Sequence, residues 1–318
     1  MSRSSSPTSS LNIYAAIEEN RRKTAIFIAA FVLLIGVVSL AVGILLGLPV
    51  APAGIVALVF TGIALFLAMW IYRSSDGIVL GISEAHEAKR QDYLDLYRTV
   101  ENIAIAAGIP APKVYVINDT APNAFATGRD PAHASVAVTT GLLQKLNKLE
   151  LEGVIAHEIS HIRNYDTRLM VMTAVFVGFI AIMTDVMLRY TWYGAGHRSR
   201  YKGKGEGSAG AILLVLAIVA LILAPIAAKF IQFAISRQRE YLADASGALL
   251  TRYPAGLASA LEKITKDTEP LEVATKGTAH LYIANPMKGQ ESGMNNLFAT
   301  HPPIEERIGR LNAMAAAR

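Results

Sequence analysis

The chain has no cysteine among its 318 residues. Disulfide scaffolding, thiol nucleophiles and cysteine-ligated metals are therefore excluded, and any metal must be held by histidine and carboxylate groups. Charge is also scarce. Asp, Glu, Lys and Arg make up 17% of the chain, against about 25% in soluble domains. Hydrophobic residues reach 53%, which excludes disorder as the state of the whole chain. A net charge of +5 raises the possibility of a nucleic-acid partner. No basic stripe interleaved with aromatics supports one. Basic residues cluster beside apolar runs instead, where they would flank a membrane.

Five segments follow from these shifts in composition. Residues 1–23 read as a flexible Ser-rich tail ending in the basic flank Arg21, Arg22 and Lys23. Residues 24–72 hold two uncharged runs, Ala25 to Leu48 and Ala53 to Tyr72, broken by Pro49 and Pro52. Each is long enough to cross a bilayer as a helix. Trp70, Tyr72 and Arg73 close the second with the aromatic and basic residues expected at a membrane interface.

Residues 73–168 have the composition of a soluble α+β unit. The pattern predicts a helix from Glu84 to Ala107, stopped by Gly108 and Pro110. Strands are expected at Lys113–Ile117, Ala124–Thr127 and His133–Thr139, then helices at Gly141–Asn147 and Leu149–Tyr165. Residues 169–228 contain two further apolar stretches, Leu169–Leu188 and Ala211–Ala228, around a basic, Gly-rich loop. Asp185 and Pro225 interrupt them, so a hairpin that only partly enters the membrane is the alternative to two full spans. Residues 229–318 are soluble in character and end in a helix from about Pro303 to Ala316. The fold class expected is an α-helical integral membrane protein, mostly α, carrying an α+β domain with a small β-sheet.

The chemistry concentrates in His157-Glu158-Ile159-Ser160-His161. Histidines four apart on a helix project from one face, close enough to share one metal. Glu158, beside the first, can take a proton from a water at that metal. Surface histidines on an amphipathic helix would have polar neighbours, whereas Val154, Ile155, Ala156 and Ile159 are apolar. The metzincin pattern is excluded because Asn164 and Thr167 stand where its Gly and third His belong. Asp166 is a weak candidate for the third ligand, being expected on another face of the same helix. Glu240 and Asp244, again four apart, form the better pair. One could ligate while the other accepts a hydrogen bond from a ligand imidazole. Two crossings between His161 and Glu240 would return both to the same side of a membrane.

Asn123-Ala124-Phe125-Ala126-Thr127-Gly128, the HExxH segment, Glu240-Tyr241-Leu242-Ala243-Asp244 and Thr300-His301-Pro302-Pro303 occur in that order. Together with the paired N-terminal runs, this resembles the HtpX family of membrane zinc metalloproteases, relatives of the Ste24 CAAX prenyl proteases. The resemblance implies one zinc ion held by His157, His161 and Glu240, with Glu158 as catalytic acid/base and Asp244 behind a ligand histidine. It further implies that Asn123, Ala124 and Phe125 line the substrate cleft, and that His301 and Arg307 steady the oxyanion. From the residues alone, Arg307 could instead pair with an acid, and His301 could simply stand at a helix start. The implied partners are misfolded or damaged membrane proteins and the lipid bilayer, and the implied location is a multi-pass plasma-membrane protein. Arg21, Arg22, Lys23 and Arg73 place the catalytic part in the cytoplasm, although the basic loop from Arg189 to Lys204 opposes that orientation. A CAAX-type processing peptidase and a membrane scaffold with a structural metal are the alternatives. An intramembrane protease is disfavoured by Lys145, Lys148, Glu150 and Glu152 just before the motif.

Overall fold

The structure, a computed structural model, describes residues 13–45, 48–173, 237–275, 278–287 and 302–317, with 176, 180, 185 and 189 between. The serine-rich tail, the apolar stretch Ala211–Ala228, the basic loop and His301 lie outside the described residues.

Two 33-residue helices open the chain, α1 (Ile13–Leu45) and α2 (Val50–Ile82). They pair side by side. Gly36 lets them approach, since a Cβ there would stand 2.7 Å from Thr61 Oγ1. Within them, Ile17–Leu40 and Val50–Ser74 are long and apolar enough to cross a membrane, with only 17% and 18% of each window buried. Leu33, Ile55, Leu58 and Phe66 face outward, exposed. A helix that is apolar all round and bare of protein cover fits a lipid environment. Phe27 and Phe31 of α1 stack on Phe176, so the start of the third apolar stretch packs against this hairpin.

The α2 helix runs well past Tyr72, where the apolar run ends. No proline interrupts Arg73–Ile82, and Val79 and Leu80 bury against Ile117, Phe125 and Ala137 of the sheet. The expected helix from Glu84 to Ala107 is correspondingly shorter. Glu84 adopts φ 49°, and residues 84–93 turn through a two-residue strand β1 (His86–Glu87) before α3 (Leu94–Ala107). The apolar spacing alone did not separate this turn from the helix. Gly108 caps α3 in the left-handed region at φ 70°, which costs glycine nothing.

The sheet contains β1, β2 (Lys113–Ile117), β3 (Ala124–Gly128) and β4 (Ala134–Thr139) in the order β1-β2-β4-β3. β2 runs parallel to β4, and β3 antiparallel to it, with Val136 opposite both Val114 and Ala126. α4 (Thr140–Lys145) leads into α5 (Lys148–Arg163), whose start is fixed by a capping box. The Asn147 side chain accepts from Glu150 N–H, and Glu150 accepts in return from Asn147 N–H. Among the described residues, α6 (Arg237–Thr251), α7 (Pro254–Lys266) and α8 (Ile304–Ala316) follow. The core lies between sheet and helices, with Val100, Val136, Ile155, Ile159, Leu257 and Leu261 all buried.

α5 is enclosed on all sides, and glycines permit the closest contacts. A Cβ on Gly153 would stand 2.7 Å from the Leu257 backbone nitrogen, and one on Gly247 would stand 3.0 Å from that of His157. Gly153→Ala should therefore force α7 away from α5 and destabilise the fold by about 1–3 kcal/mol. A lowered Tm in calorimetry would show it, and an unchanged Tm would refute the tight contact.

Candidate metal centre

Two turns of α5 carry His157, Glu158 and His161 into the interior, all three almost fully buried. The Nε2 atoms of the histidines face each other at 3.1 Å. Glu240, in the first turn of α6, brings Oε1 to 3.6 Å from His161 Nε2 and Oε2 to 3.8 Å from His157 Nε2. One ligand atom from each of the three lies within 4.8 Å of the others.

The far side of each imidazole decides what these atoms can do. His157 Nδ1 donates to Asp244 Oδ1 at 2.9 Å, and His161 Nδ1 donates to Asp166 Oδ2 at 3.0 Å. With both Nδ1 atoms acting as donors, both Nε2 lone pairs point into the same space, next to the Glu240 carboxylate. Two neutral imidazoles and one carboxylate are a donor set for a divalent cation, and three protein ligands leave a coordination position open. The residues present fit a metal.

Charge is balanced by burial in pairs. Arg307, fully buried, donates from Nε and Nη2 to Asp244 at 2.8 and 2.7 Å, and from Nη1 to the Ile283 carbonyl at 3.0 Å. Burial works to raise the Asp244 carboxyl, but Arg307 and His157 outweigh it and hold it down at about 2. Burial pushes His157 down to about 4. For His161 the burial effect is reversed, as long as no cation is bound, by the Asp166 hydrogen bond and by the Glu240, Asp166 and Glu158 charges, which raise it to about 9; a bound cation would take the place of its Nε2 proton and leave the imidazole neutral. Burial raises the Glu158 carboxyl to about 7, against the opposing influence of His161 and a backbone hydrogen bond from Ala126.

The placements differ in several respects from a reading of spacing alone. Asp166 does not continue the helix of His161. α5 ends at Arg163, Tyr165 turns the chain at φ 60°, and the Asp166 carboxylate comes back to His161. Only a break at Asn164–Tyr165 makes this possible, and nothing in the apolar pattern marks it. Arg307 has all three guanidinium nitrogens engaged by Asp244 and Ile283. Asn123, Ala124 and Phe125 are buried under residues 282–284. Asn123 Nδ2 donates to Ala284 O at 3.1 Å, Ile283 N donates to Ala124 O at 2.9 Å, and Phe125 meets Tyr282 edge-on at 5.1 Å.

Removing one member of a buried ion pair strands the other, at a typical cost of about 3–5 kcal/mol. Arg307→Met should show a loss of that order in denaturant unfolding, with Arg307→Lys intermediate. Because the Asp244 carboxyl is depressed in the fold, the pair's contribution is complete above the ordinary carboxylate pKa of about 4. It is lost as pH falls toward 2, so the gap between wild type and Arg307→Met should shrink over that range. A constant gap would sink the assignment.

Residues 90–315 match peptidase family M48. Proteins named protease HtpX homolog are similar over almost the whole chain. The one from Dictyoglomus thermophilum is 50% identical over 301 residues, covering 95% of this chain and 94% of that one. Those from Thermoanaerobacter pseudethanolicus and Ligilactobacillus salivarius are 49% and 44% identical, covering 95% of this chain and 98% and 100% of theirs. Among solved structures, the crystal structure of S. mikatae Ste24p has a TM-score of 0.48 at 18% identity, over 95% of this chain and 66% of that one. With the family match extending across α5, α6 and α8, the chain belongs to peptidase family M48 and is a metalloprotease.

Proposed function

We propose that the chain is a zinc endopeptidase, anchored in a bilayer by the α1–α2 hairpin, that cleaves misfolded or damaged membrane proteins at the cytoplasmic face. One observation carries this reading. His157, His161 and Glu240 converge on a common space, each imidazole is backed by its own buried carboxylate, and Glu158 stands beside them. One Zn2+ per chain would be held by His157, His161 and Glu240, with Asp244 and Asp166 fixing the imidazole tautomers. When bound, zinc supplies Lewis-acid activation of water and of the scissile carbonyl.

The protein's own groups supply the proton transfers. Glu158, with its carboxyl raised to about 7, is poised to take a proton from the attacking water at one oxygen and pass it to the leaving amine. Burial of the site limits screening by bulk water, so charges there interact more strongly than they would in solution. Arg307, tied to Asp244 and 3.6 Å from Glu240 Oε2, favours a role in orienting and neutralising these carboxylates over direct contact with an oxyanion. His301 retains the oxyanion role that the family resemblance gives it.

Backbone pairing suits a broad substrate range. The Asn123 N–H and C=O face Thr139 of β4, so the alternate residues Ala124, Ala126 and Gly128 present their backbone to the outer edge. Ile283 already occupies the Ala124 position. A peptide adding to β3 would therefore meet Ala126 and Gly128, on the side next to Glu158. Orientation toward the cytoplasm rests on Arg21, Arg22, Lys23 and Arg73 flanking the apolar runs.

Glu158→Gln should lower turnover of casein by about 10²–10⁴-fold while keeping stoichiometric zinc, because Glu158 lies beside the metal ligands and is not one of them. Undiminished turnover would reject the mechanism. Glu240→Ala should lose zinc and activity together. Metal analysis that finds the variant fully loaded would show the ligand set to be wrong. Chelator should abolish wild-type cleavage, and added zinc should restore it.

A further inference from the structure

The turn that brings Asp166 to His161 is held from an unexpected direction. Asn20, in the first part of α1, is buried among the metal-centre residues. Its Nδ2 donates to Asp166 Oδ1 at 2.7 Å and to the Asn164 backbone carbonyl at 3.0 Å. The Asp166 carboxylate is thus shared. One oxygen takes the His161 Nδ1–H, and the other takes the Asn20 amide, with Arg239 Nε 3.7 Å away. The next residue of α1, Arg21, lies over the Tyr165 ring at 4.5 Å. Tyr165 is the residue at φ 60°, a conformation that a bulky side chain adopts only when its surroundings hold it there. Two successive side chains of α1 therefore clamp the three-residue turn 164–166 on which the orientation of His161 depends.

We propose that Asn20 is a positioning residue of the metal centre, acting through Asp166 on His161, so that α1 forms part of the site as well as the anchor. The chemistry follows from the valence of a carboxylate. Asp166 can hold His161 in the Nε2-lone-pair tautomer only if its own orientation is fixed, and a hydrogen bond to its second oxygen fixes it. Without the Asn20 donor, Asp166 can rotate and the 164–166 turn loses a partner for the Asn164 carbonyl. His161 then presents its lone pair to the metal only part of the time. Arg239 does not replace it, since its Nε stands beyond hydrogen-bonding distance at 3.7 Å. This inference rests on the His157, His161 and Glu240 metal site proposed above.

The experiment is a double-mutant cycle in zinc affinity, read by competition with a chromophoric chelator, on the full-length chain in detergent. Asp166→Ala should weaken zinc binding by about 10–100-fold, the range found when a partner behind a ligand histidine is lost, and Asn20→Ala, one bond further out, by a lesser factor of about 3–10. In an Asp166→Ala background the same substitution should change it less than twofold, because its only route to the metal is already gone. Cobalt(II) in place of zinc gives a second readout, since its visible spectrum reports ligand geometry. The Asn20→Ala and Asp166→Ala spectra should shift alike. If Asn20→Ala does not accumulate as folded protein, Asn20→Ser, too short to bridge both acceptors, is measured by the same two criteria. Zinc affinity within twofold of wild type in Asn20→Ala would overturn the proposal, as would an equal loss in both backgrounds. A wild-type chain that binds no zinc would instead overturn the metal site itself, so the two failures are separable.

Discussion

Four carboxylates and two histidines meet at one place in the interior, amid a core rich in Ile, Leu, Val and Ala. Everything else in the catalytic part accommodates that fact. Isolated, each charge would be expelled or neutralised at a cost of several kcal/mol. Together they form a closed ledger of donors and acceptors. Arg307 neutralises Asp244, Asp244 sets His157, Asn20 sets Asp166, and Asp166 sets His161. The two Nε2 atoms and Glu240 converge on a space that could hold a cation, with the Arg307 guanidinium alongside. Secondary structure serves this geometry. α5 presents the histidines, α6 supplies Glu240 and Asp244, and α8 delivers Arg307 from the far end of the sequence.

Those residues come from four separated stretches of chain, which explains what the sequence could and could not disclose. The grouping of the candidate site was legible because each pair sits at helical spacing, His157 with His161 and Glu240 with Asp244, and local periodicity reports such pairs directly. The strands at 113–117 and 124–127 were legible for the same reason, being short β-rich runs between turn residues. What stayed hidden depends on non-local contact or on a single dihedral angle. Asp166 falls on the wrong face of an ideal helix and reaches His161 only because Tyr165 turns the chain. Asn20 reads as one polar residue in a basic flank, and no pattern in α1 links it to residues 164–166. Arg307 carried an ambiguous signal, with acids beside it in sequence, and the partner it found lies 63 residues away. The helix α7, which encloses α5, follows a stretch whose soluble character was evident but whose elements were not resolved by periodicity. The continuation of α2 past Tyr72 was missed because a change in composition was taken to mark a change in structure.

The outer edge of β3 shows a related economy. An edge strand beside an active site offers unpaired backbone groups to an extended chain, although the residues of β3 are themselves buried. Here Ile283 and Ala284 hold its first residues, and Glu158 accepts from Ala126. The strand is therefore secured at the end nearest Asn123, and its register against the catalytic glutamate is set from within the protein.

The uninterrupted course of α2 has a mechanical consequence. A helix that passes from an apolar run into a sheet contact without a joint behaves as a keyed shaft. It transmits rotation as well as height. One residue added between Arg73 and Val79 would lift the sheet by about 1.5 Å and turn it by about 100° about the helix axis, with Val79 and Leu80 moving as one with the face they cover. A flexible tether would absorb such an insertion without effect. With α2 as the shaft, the azimuth of the metal centre relative to the hairpin is as tightly specified as its distance, and the two cannot be changed independently.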